Sequence, residues 1–159
     1  MTPTAFLSTF GLGVVAGMRS MTAPAALAHV LASRTVAPHD QPARFLSSER
    51  VARLAALAAA GEFVGDKLPT TPDRTDALPL SGRLGSGALV GAAVAAATRE
   101  SVVVGALAGV VGAAVGSFGG VRIRKALPGA LGLPDWPVAL AEDALAVSLG
   151  LAAARAATE

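Results

Sequence analysis

The sequence predicts an all-α fold, a polytopic transmembrane bundle of about five helices, from its composition and from the length of its apolar runs. Hydrophobic residues make up 53% of the 159 residues and charged residues only 15%. Soluble domains carry roughly 25% charged residues, so this chain has too little polar surface to cover a soluble particle. Mean hydropathy is +0.59. We therefore expect one integral membrane domain over residues 1–159, multi-pass and surrounded by the lipid bilayer.

The first predicted span covers residues 2–32. Only Arg19 and His29 interrupt an otherwise uncharged run, which is long enough for one membrane helix or for a helix broken near Pro24. No lysine or arginine precedes Arg19, so the positive region of a secretory signal is missing and we expect this segment to be retained.

A helix between two loops follows the first span. Residues 33–50 are polar and contain two prolines, so they predict a loop. Residues 50–66 predict a helix that is apolar in its middle and acidic towards its end. Residues 67–83 are again rich in proline and charge and predict a second loop, with Arg83 among the loop charges.

The second half of the chain predicts three further helices. Residues 84–98 form an uncharged run that is short for a span, and residues 101–121 form a longer one that is the clearest transmembrane segment. Residues 126–137 predict a turn because glycine and proline recur in them. Residues 138–154 predict the last helix.

Glycines recur at a spacing of four in several of these segments. On a helix this spacing lines one face with hydrogen atoms, so two backbones approach closely and dispersion replaces the hydrophobic effect that lipid cannot supply. We expect these faces to pack helices together and to support a homo-oligomer; a water- or ion-lined cavity along them is the alternative. The glycines are Gly13, Gly17, Gly61, Gly65, Gly87, Gly91, Gly105, Gly109, Gly112, Gly116 and Gly120.

Two segments of the chain resemble each other weakly. Residues 13–23 align without gaps to residues 116–126, which pairs Gly17 with Gly120 and Arg19 with Arg122. In a bundle of five spans the two segments run in opposite directions, so the halves 1–80 and 84–159 would form an inverted repeat, an arrangement common in transporters. Chance similarity in a chain rich in glycine and alanine is the other explanation.

Arg19 is the charge that most needs a partner. An arginine at the centre of a span costs roughly 2.5–3.5 kcal/mol on insertion scales, so it should face the bundle interior. Glu62 and Asp66 lie on one helix face and are candidate partners. Alternatively, Arg19 reaches the membrane interface while Lys67 pairs with the acids locally. Candidate ion- or substrate-binding residues are Arg19, Ser20, Glu62, Asp66, Lys67, Arg122, Glu142 and Asp143.

Several classes of chemistry find no support in the sequence. The chain has no cysteine, which excludes disulfides, thiol nucleophiles and Cys-ligated zinc or iron–sulfur centres. Its acids and its two histidines show no metal-ligand spacing, and no hydrolase motif is present, so we expect neither a metal, nor a cofactor, nor enzymatic activity. Its scattered arginines form no basic run, so a nucleic-acid partner is not expected.

Several motifs together resemble a family of bacterial membrane proteins known as domain of unknown function 4126. The motifs are "GMRSMTAPAAL", "GEFVGDKLP", "PDRT", "SGALVGAA" and "PDWPVALAEDALA", and they cover nearly the whole chain. The resemblance implies a small integral protein of the bacterial inner membrane and carries over no catalytic role. The positions that it would emphasise include Pro69 and Arg74 besides the charged candidates already named.

The buried charges favour a small transporter or channel for an ion or small polar solute, because ionisable groups at membrane depth mark ion pathways and proton relays. A membrane scaffold that only builds a homo-oligomer or binds a partner is the main alternative. A membrane-embedded enzyme acting on lipid is a third hypothesis, and it would place a lipid head group near Arg19 or Arg122.

Overall fold

The computed structural model describes residues 1–34, 38, 40–65, 76–131 and 135–158. Within these ranges the chain is helical and contains no strand, which confirms the predicted all-α class. The helices, in chain order, are α1 Pro3–Met18, α2 Thr22–Ala32, α3 Ala43–Leu46, α4 Glu49–Gly65, α5 Ala77–Ala97, α6 Val102–Leu131 and α7 Asp135–Ala156.

Three of the described helices are long and apolar enough to cross a membrane. They are α5 over Ala77–Ala97, the first part of α6 over Val102–Ile123, and α7 over Pro137–Ala156. The helices α1 and α2 are apolar but shorter, with 16 and 11 residues. These lengths indicate a membrane protein, but they do not confirm the predicted count of five spans.

The first apolar segment is a helical hairpin of α1 and α2, so one continuous helix is excluded and the expected break is confirmed, although it lies at residues 19–21 and not at Pro24 itself. A Cβ atom placed on Gly150 of α7 would lie 3.4 Å from side-chain atoms of both Val15 and Ala26. Eleven residues of continuous helix span about 16 Å, so the chain must reverse between these two residues. The reversal lies at residues 19–21, where Arg19 is extended (φ −144°, ψ 111°). Pro24 is tolerated because the first N–H groups of a helix have no intrahelical partner.

Helix boundaries also differ from the prediction around the polar segments. Helix α5 begins at Ala77, inside the predicted loop 67–83, because the extended Asp76 precedes it and Pro79 falls in its first turn. Helix α6 continues to Leu131 through the first half of the predicted turn 126–137. Charges at the end of an apolar run therefore mark where a membrane segment ends and not where the helix ends.

Helix α6 packs closely against α1 on one side and α5 on the other, through glycine. A Cβ atom added at Gly13 or Gly87 would come within 3.0 Å of the Gly109 carbonyl oxygen, and one added at Gly91 equally close to that of Gly105. Gly17, Gly112 and Gly116 make similar backbone approaches between α1 and α6. These glycine faces are thus occupied within one chain.

Three predicted packing glycines lie outside these contacts. Among the described residues, an added Cβ atom would meet no atom within 4 Å at Gly61 or Gly65. At Gly120 it would meet only the Glu142 carboxylate, at 3.7 Å. Spacing alone did not separate these positions from the packed ones, because an i, i+4 pair of glycines defines a face but not the helix opposite to it.

The connection between α5 and α6 is closed by backbone hydrogen bonds and by the amino terminus. The Glu100 N–H donates to the Ala95 carbonyl at 2.8 Å, and Arg99 between them has φ +57°. The Met1 ammonium lies 2.9 Å from the Glu100 carboxylate. The pKa of Glu100 is lowered mainly by the hydrogen bond from the Met1 ammonium and, to a smaller extent, by the hydrogen bond from the Thr2 N–H.

The close approach of α5 and α6 predicts a strong contrast between two glycines of one helix. Gly87→Ala should destabilise the protein by about 2 kcal/mol or more, because the new Cβ atom would lie 2.5 Å from the Gly109 carbonyl oxygen, a backbone atom. Gly85→Ala has no described atom within 4 Å of the new methyl group and should stabilise α5 by about 0.5–1 kcal/mol. Equal thermal midpoints for the two variants in detergent would contradict this packing.

The left-handed backbone at Arg99 predicts a stabilising substitution. Arg99→Gly should raise the free energy of unfolding by about 1 kcal/mol, since glycine adopts a positive φ without the Cβ clash. Arg99→Ala keeps the clash and removes the charge, so it serves as the control. A similar gain from alanine would show that the charge, and not the backbone conformation, limits stability.

Candidate functional site

The carbonyl groups at the end of α1 are bound by side chains from two other helices. The Arg83 guanidinium, from α5, donates through Nη1 to the carbonyl oxygens of Gly17 and Met18 at 2.9 and 3.0 Å. The Ser117 hydroxyl, from α6, donates to the Gly17 oxygen at 3.2 Å. Arg83 is buried, with 4% of its surface exposed. It thus replaces the water that would hydrate a helix C-terminus at the protein surface.

The N–H groups that precede α2 are bound by a carboxylate from α4. Glu62 accepts hydrogen bonds from the Ser20 N–H at 2.8 Å, the Ser20 hydroxyl at 3.0 Å and the Met21 N–H at 2.8 Å. The Arg83 Nη2 atom lies 3.9 Å from the same carboxylate. No side chain of α2 itself caps this end, so Glu62 supplies the cap from another helix.

Arg19 connects the reversal to α7. Its Nη2 atom forms an ion pair and hydrogen bond with the Asp143 carboxylate. Its guanidinium carbon lies 5.2 Å from the centre of the Phe63 ring, a cation–π distance. Arg19 is 1% exposed, whereas the Asp143 side chain keeps 14% of its surface exposed.

These side chains form one polar site, which we call the turn cluster. Its described part contains two guanidinium groups and two carboxylates, whose formal charges balance. Four helices and the reversal between α1 and α2 contribute to it. Its members are Arg19, Ser20, Glu62, Arg83, Ser86, Ser117 and Asp143, with the Ser86 hydroxyl donating to the Ser20 carbonyl.

The structure places the described site residues in the turn cluster, on the exposed surface of α6, or beside a groove. Arg19, Ser20, Glu62 and Asp143 meet in the turn cluster, where the described ion pair of Arg19 is with Asp143 and not with Glu62, one of its two expected partners. Arg122 is exposed and lies within helix α6. Arg19, with which an inverted repeat would pair it, is buried and has an extended backbone. Positions that lie outside the described residues are Asp66, Lys67, Pro69 and Arg74.

Glu142 borders a groove beside the turn cluster. The groove has a volume of about 610 Å³ and lies between α1, α6 and α7. Its walls include Val14 of α1, Gly119 of α6 and Leu145 of α7. We call it the lateral groove. Within the described part of the chain, no three acidic or histidine side chains converge as a metal site would require.

Sequence reasoning missed Arg83, Ser86 and Ser117. The sequence predicts Arg83 as a loop charge because three prolines precede it, although the uncharged run that continues after it is a signal for a helix containing it. Ser86 and Ser117 lie in glycine-rich helices where a single hydroxyl carries no pattern. Their role depends on which backbone lies opposite, and only the fold shows that.

Comparison with known proteins identifies the family and nothing more specific. A family model described as domain of unknown function (DUF4126) matches residues 6–158, which confirms the resemblance over nearly the whole chain. No curated protein and no solved structure matches the chain.

Because Glu62 caps α2, replacing it with glutamine should destabilise the protein more than the same replacement of an exposed glutamate does. Glu62→Gln should cost about 2–3 kcal/mol, because the carboxamide NH₂ would face an N–H donor and the charge next to Arg83 would be lost. Glu49→Gln, which breaks an exposed ion pair with Arg53, should cost no more than about 0.5 kcal/mol. Thermal unfolding in one detergent compares them, and equal losses would remove the capping role from Glu62.

Proposed function

The chain belongs to the DUF4126 family, whose description assigns no function, and on that premise we propose that it is a small membrane transporter or channel for an ion or small polar solute. The observation that supports this proposal is the turn cluster. Four charged side chains meet at a helix reversal inside an apolar bundle, and ionisable groups in such positions commonly mark ion or solute pathways.

Arg19 and Asp143 are the members of the cluster that are suited to exchange partners. Arg83 and Glu62 bind backbone groups of the reversal, so their loss would disturb the fold. Asp143, in contrast, is partly exposed, holds Arg19 from α7, and adjoins Glu142 on the lateral groove. A cation that pairs with Asp143 competes with Arg19, which loosens α7 from the reversal and couples binding to a helix movement.

A membrane scaffold is the competing function, and a specific observation favours it too. Glu62, Arg83 and Ser117 all satisfy backbone groups, which is what a purely structural cluster would do. The scaffold hypothesis assigns Arg19 and Asp143 the same structural role. For either function we propose the bacterial inner membrane as the location, with the lipid bilayer as the partner that surrounds the apolar faces of α6 and α7.

Removing both members of the Arg19–Asp143 ion pair together, so that neither is left without the other, separates the two functions. We expect the double variant Arg19→Met, Asp143→Leu to stay folded, since apolar replacement of a buried pair is often neutral or stabilising. Flux of protons, Na⁺, K⁺ or an organic cation into proteoliposomes should fall by about tenfold or more, because the competing charges are gone.

The matched control removes an exposed pair from α4. The double variant Arg53→Met, Glu49→Leu should leave flux within about twofold of the unmodified protein, as exposed pairs contribute little. Flux that persists in the folded Arg19, Asp143 variant, or the absence of any flux above empty liposomes for the unmodified protein, would contradict transport and favour the scaffold.

A further inference from the structure

Exposed arginines lie at the end of the bundle opposite the turn cluster. The Met1 ammonium contacts Glu100, which follows α5, so the start of α1 lies beside the end of this membrane-length helix. Helix α2 runs back along α1, and Glu62 near the end of α4 caps the start of α2. The end of α2 and the start of α4 therefore lie near the same end of α5. We call this region the arginine end, after Arg34, Arg44, Arg50 and Arg53.

Three of these four guanidinium groups have no acidic partner among the described residues. Arg53 pairs with Glu49 across one turn of α4. Arg34, Arg44 and Arg50 are exposed, and the described ion pairs include none of them. A partner outside the protein can therefore approach these three side chains without first displacing a described carboxylate.

The sequence of this segment leaves an excess of positive charge. Residues 34–53 contain four arginines and two carboxylates, those of Asp40 and Glu49, which leaves an excess of two positive charges. The segment includes residues 35–37 and 39, which lie outside the described ones but supply no acid, because they are threonine, valine, alanine and histidine. The arginine end is thus electrostatically suited to an anionic partner.

An aromatic side chain is exposed beside the arginines. Ala43 and Leu46 hold the short helix α3 in the core, and the two residues between them, Arg44 and Phe45, are exposed. Phe45 keeps 55% of its surface exposed. The outer side of α3 therefore offers a cation and an apolar ring together.

Helix α4 carries a similar combination along its outer face. Arg50, Leu54 and Leu57 lie on one face, since the leucines follow the arginine by four and seven residues, and all three are exposed. Leu57 lies about 10 Å further along the helix axis than Arg50, towards the turn cluster. The guanidinium thus lies at the end of the bundle and the leucines lie deeper, which matches the change from lipid phosphates to acyl chains across a leaflet.

We infer that the arginine end binds the anionic headgroups of the surrounding bilayer through Arg34, Arg44 and Arg50, with Phe45 and the exposed leucines of α4 among the acyl chains. Guanidinium groups bind phosphate by charge-assisted hydrogen bonds, and basic residues next to membrane segments recognise anionic lipids. A zwitterionic lipid fits less well because its own ammonium cancels the phosphate charge. A soluble acidic protein fits less well because it would leave the leucines without a partner. The inference goes beyond the proposed function, since it holds for a transporter and for a scaffold.

Two phospholipids with the same acyl chains and different headgroups test the inference. Microscale thermophoresis of the full chain in a nonionic detergent follows its titration with dioleoylphosphatidylglycerol, which is anionic, or with dioleoylphosphatidylcholine, which is zwitterionic. At low salt the anionic lipid should bind at least about tenfold more tightly, and the difference should shrink as salt is added, because salt screens exposed charges. Equal affinities at low salt would overturn the inference.

Two charge-matched double variants locate the binding. Arg44→Gln, Arg50→Gln should weaken the binding of phosphatidylglycerol by about tenfold or more and leave that of phosphatidylcholine within about twofold. Arg122→Gln, Arg155→Gln removes two other exposed arginines and should leave both affinities within about twofold. All four side chains are exposed, so both variants should keep the thermal midpoint of the unmodified protein. Equal losses in the two variants would show that net charge, and not the arginine end, attracts the lipid, and would contradict the inference.

Removing an acid tests the same surface in the opposite direction. Glu49→Gln releases Arg53 from its ion pair and should tighten the binding of phosphatidylglycerol by about two- to fivefold. A purely structural role for these arginines predicts no such gain. Unchanged lipid affinity in this variant would therefore count against the inference.

Competitors distinguish the lipid surface from other anionic partners. Inorganic phosphate should displace phosphatidylglycerol no more than sodium chloride of the same ionic strength does. Greater displacement by phosphate would indicate a site for a free anion, and hexaglutamate binding more tightly than the lipid would indicate an acidic protein as the partner. Either result would refute the assignment of the arginine end to lipid.

Discussion

A chain that reverses inside an apolar bundle exposes backbone groups that no solvent can satisfy, and the arrangement of this protein depends on satisfying them. The carbonyl end of α1 receives the Arg83 guanidinium, and the N–H end of α2 receives the Glu62 carboxylate. Each charge has the sign that the adjacent helix dipole favours. The two side chains also lie 3.9 Å apart, so the groups that cap the two helices neutralise each other.

Close packing through glycine makes this capping possible. Serine has a short side chain, and Ser117 of α6 reaches the Gly17 carbonyl only because the backbones of α1 and α6 are almost in contact there. Where α6 leaves α1, beyond Gly116, the same helix presents glycine to empty space and borders the lateral groove. One helix thus provides both close backbone contacts within the bundle and a wall of the lateral groove.

The sequence predicted the helical class, the apolar segments and the importance of Arg19 and Glu62, because these depend on local composition and on the cost of burying charge. For Arg19 it offered Glu62 and Asp66 as partners. Asp66 lies outside the described residues, and the described ion pair of Arg19 is with Asp143, an acid on a later helix that could be chosen over Glu62 only by knowing which helix faces the reversal. Arg83 was missed because proline and charge indicate a loop locally, whereas tertiary contacts with Gly17 and Met18 place it in a buried helix.

The pairing of Arg19 with Asp143 also bears on how the protein is made. These residues are 124 positions apart, and ribosomes add about 5–20 residues per second. Arg19 is therefore synthesised about 6–25 s before Asp143. During that interval the guanidinium of Arg19 must be accommodated by other groups, by lipid phosphates or by the insertion machinery. Completion of the bundle is thus a late step, and truncation before α7 would leave this charge without its final carboxylate.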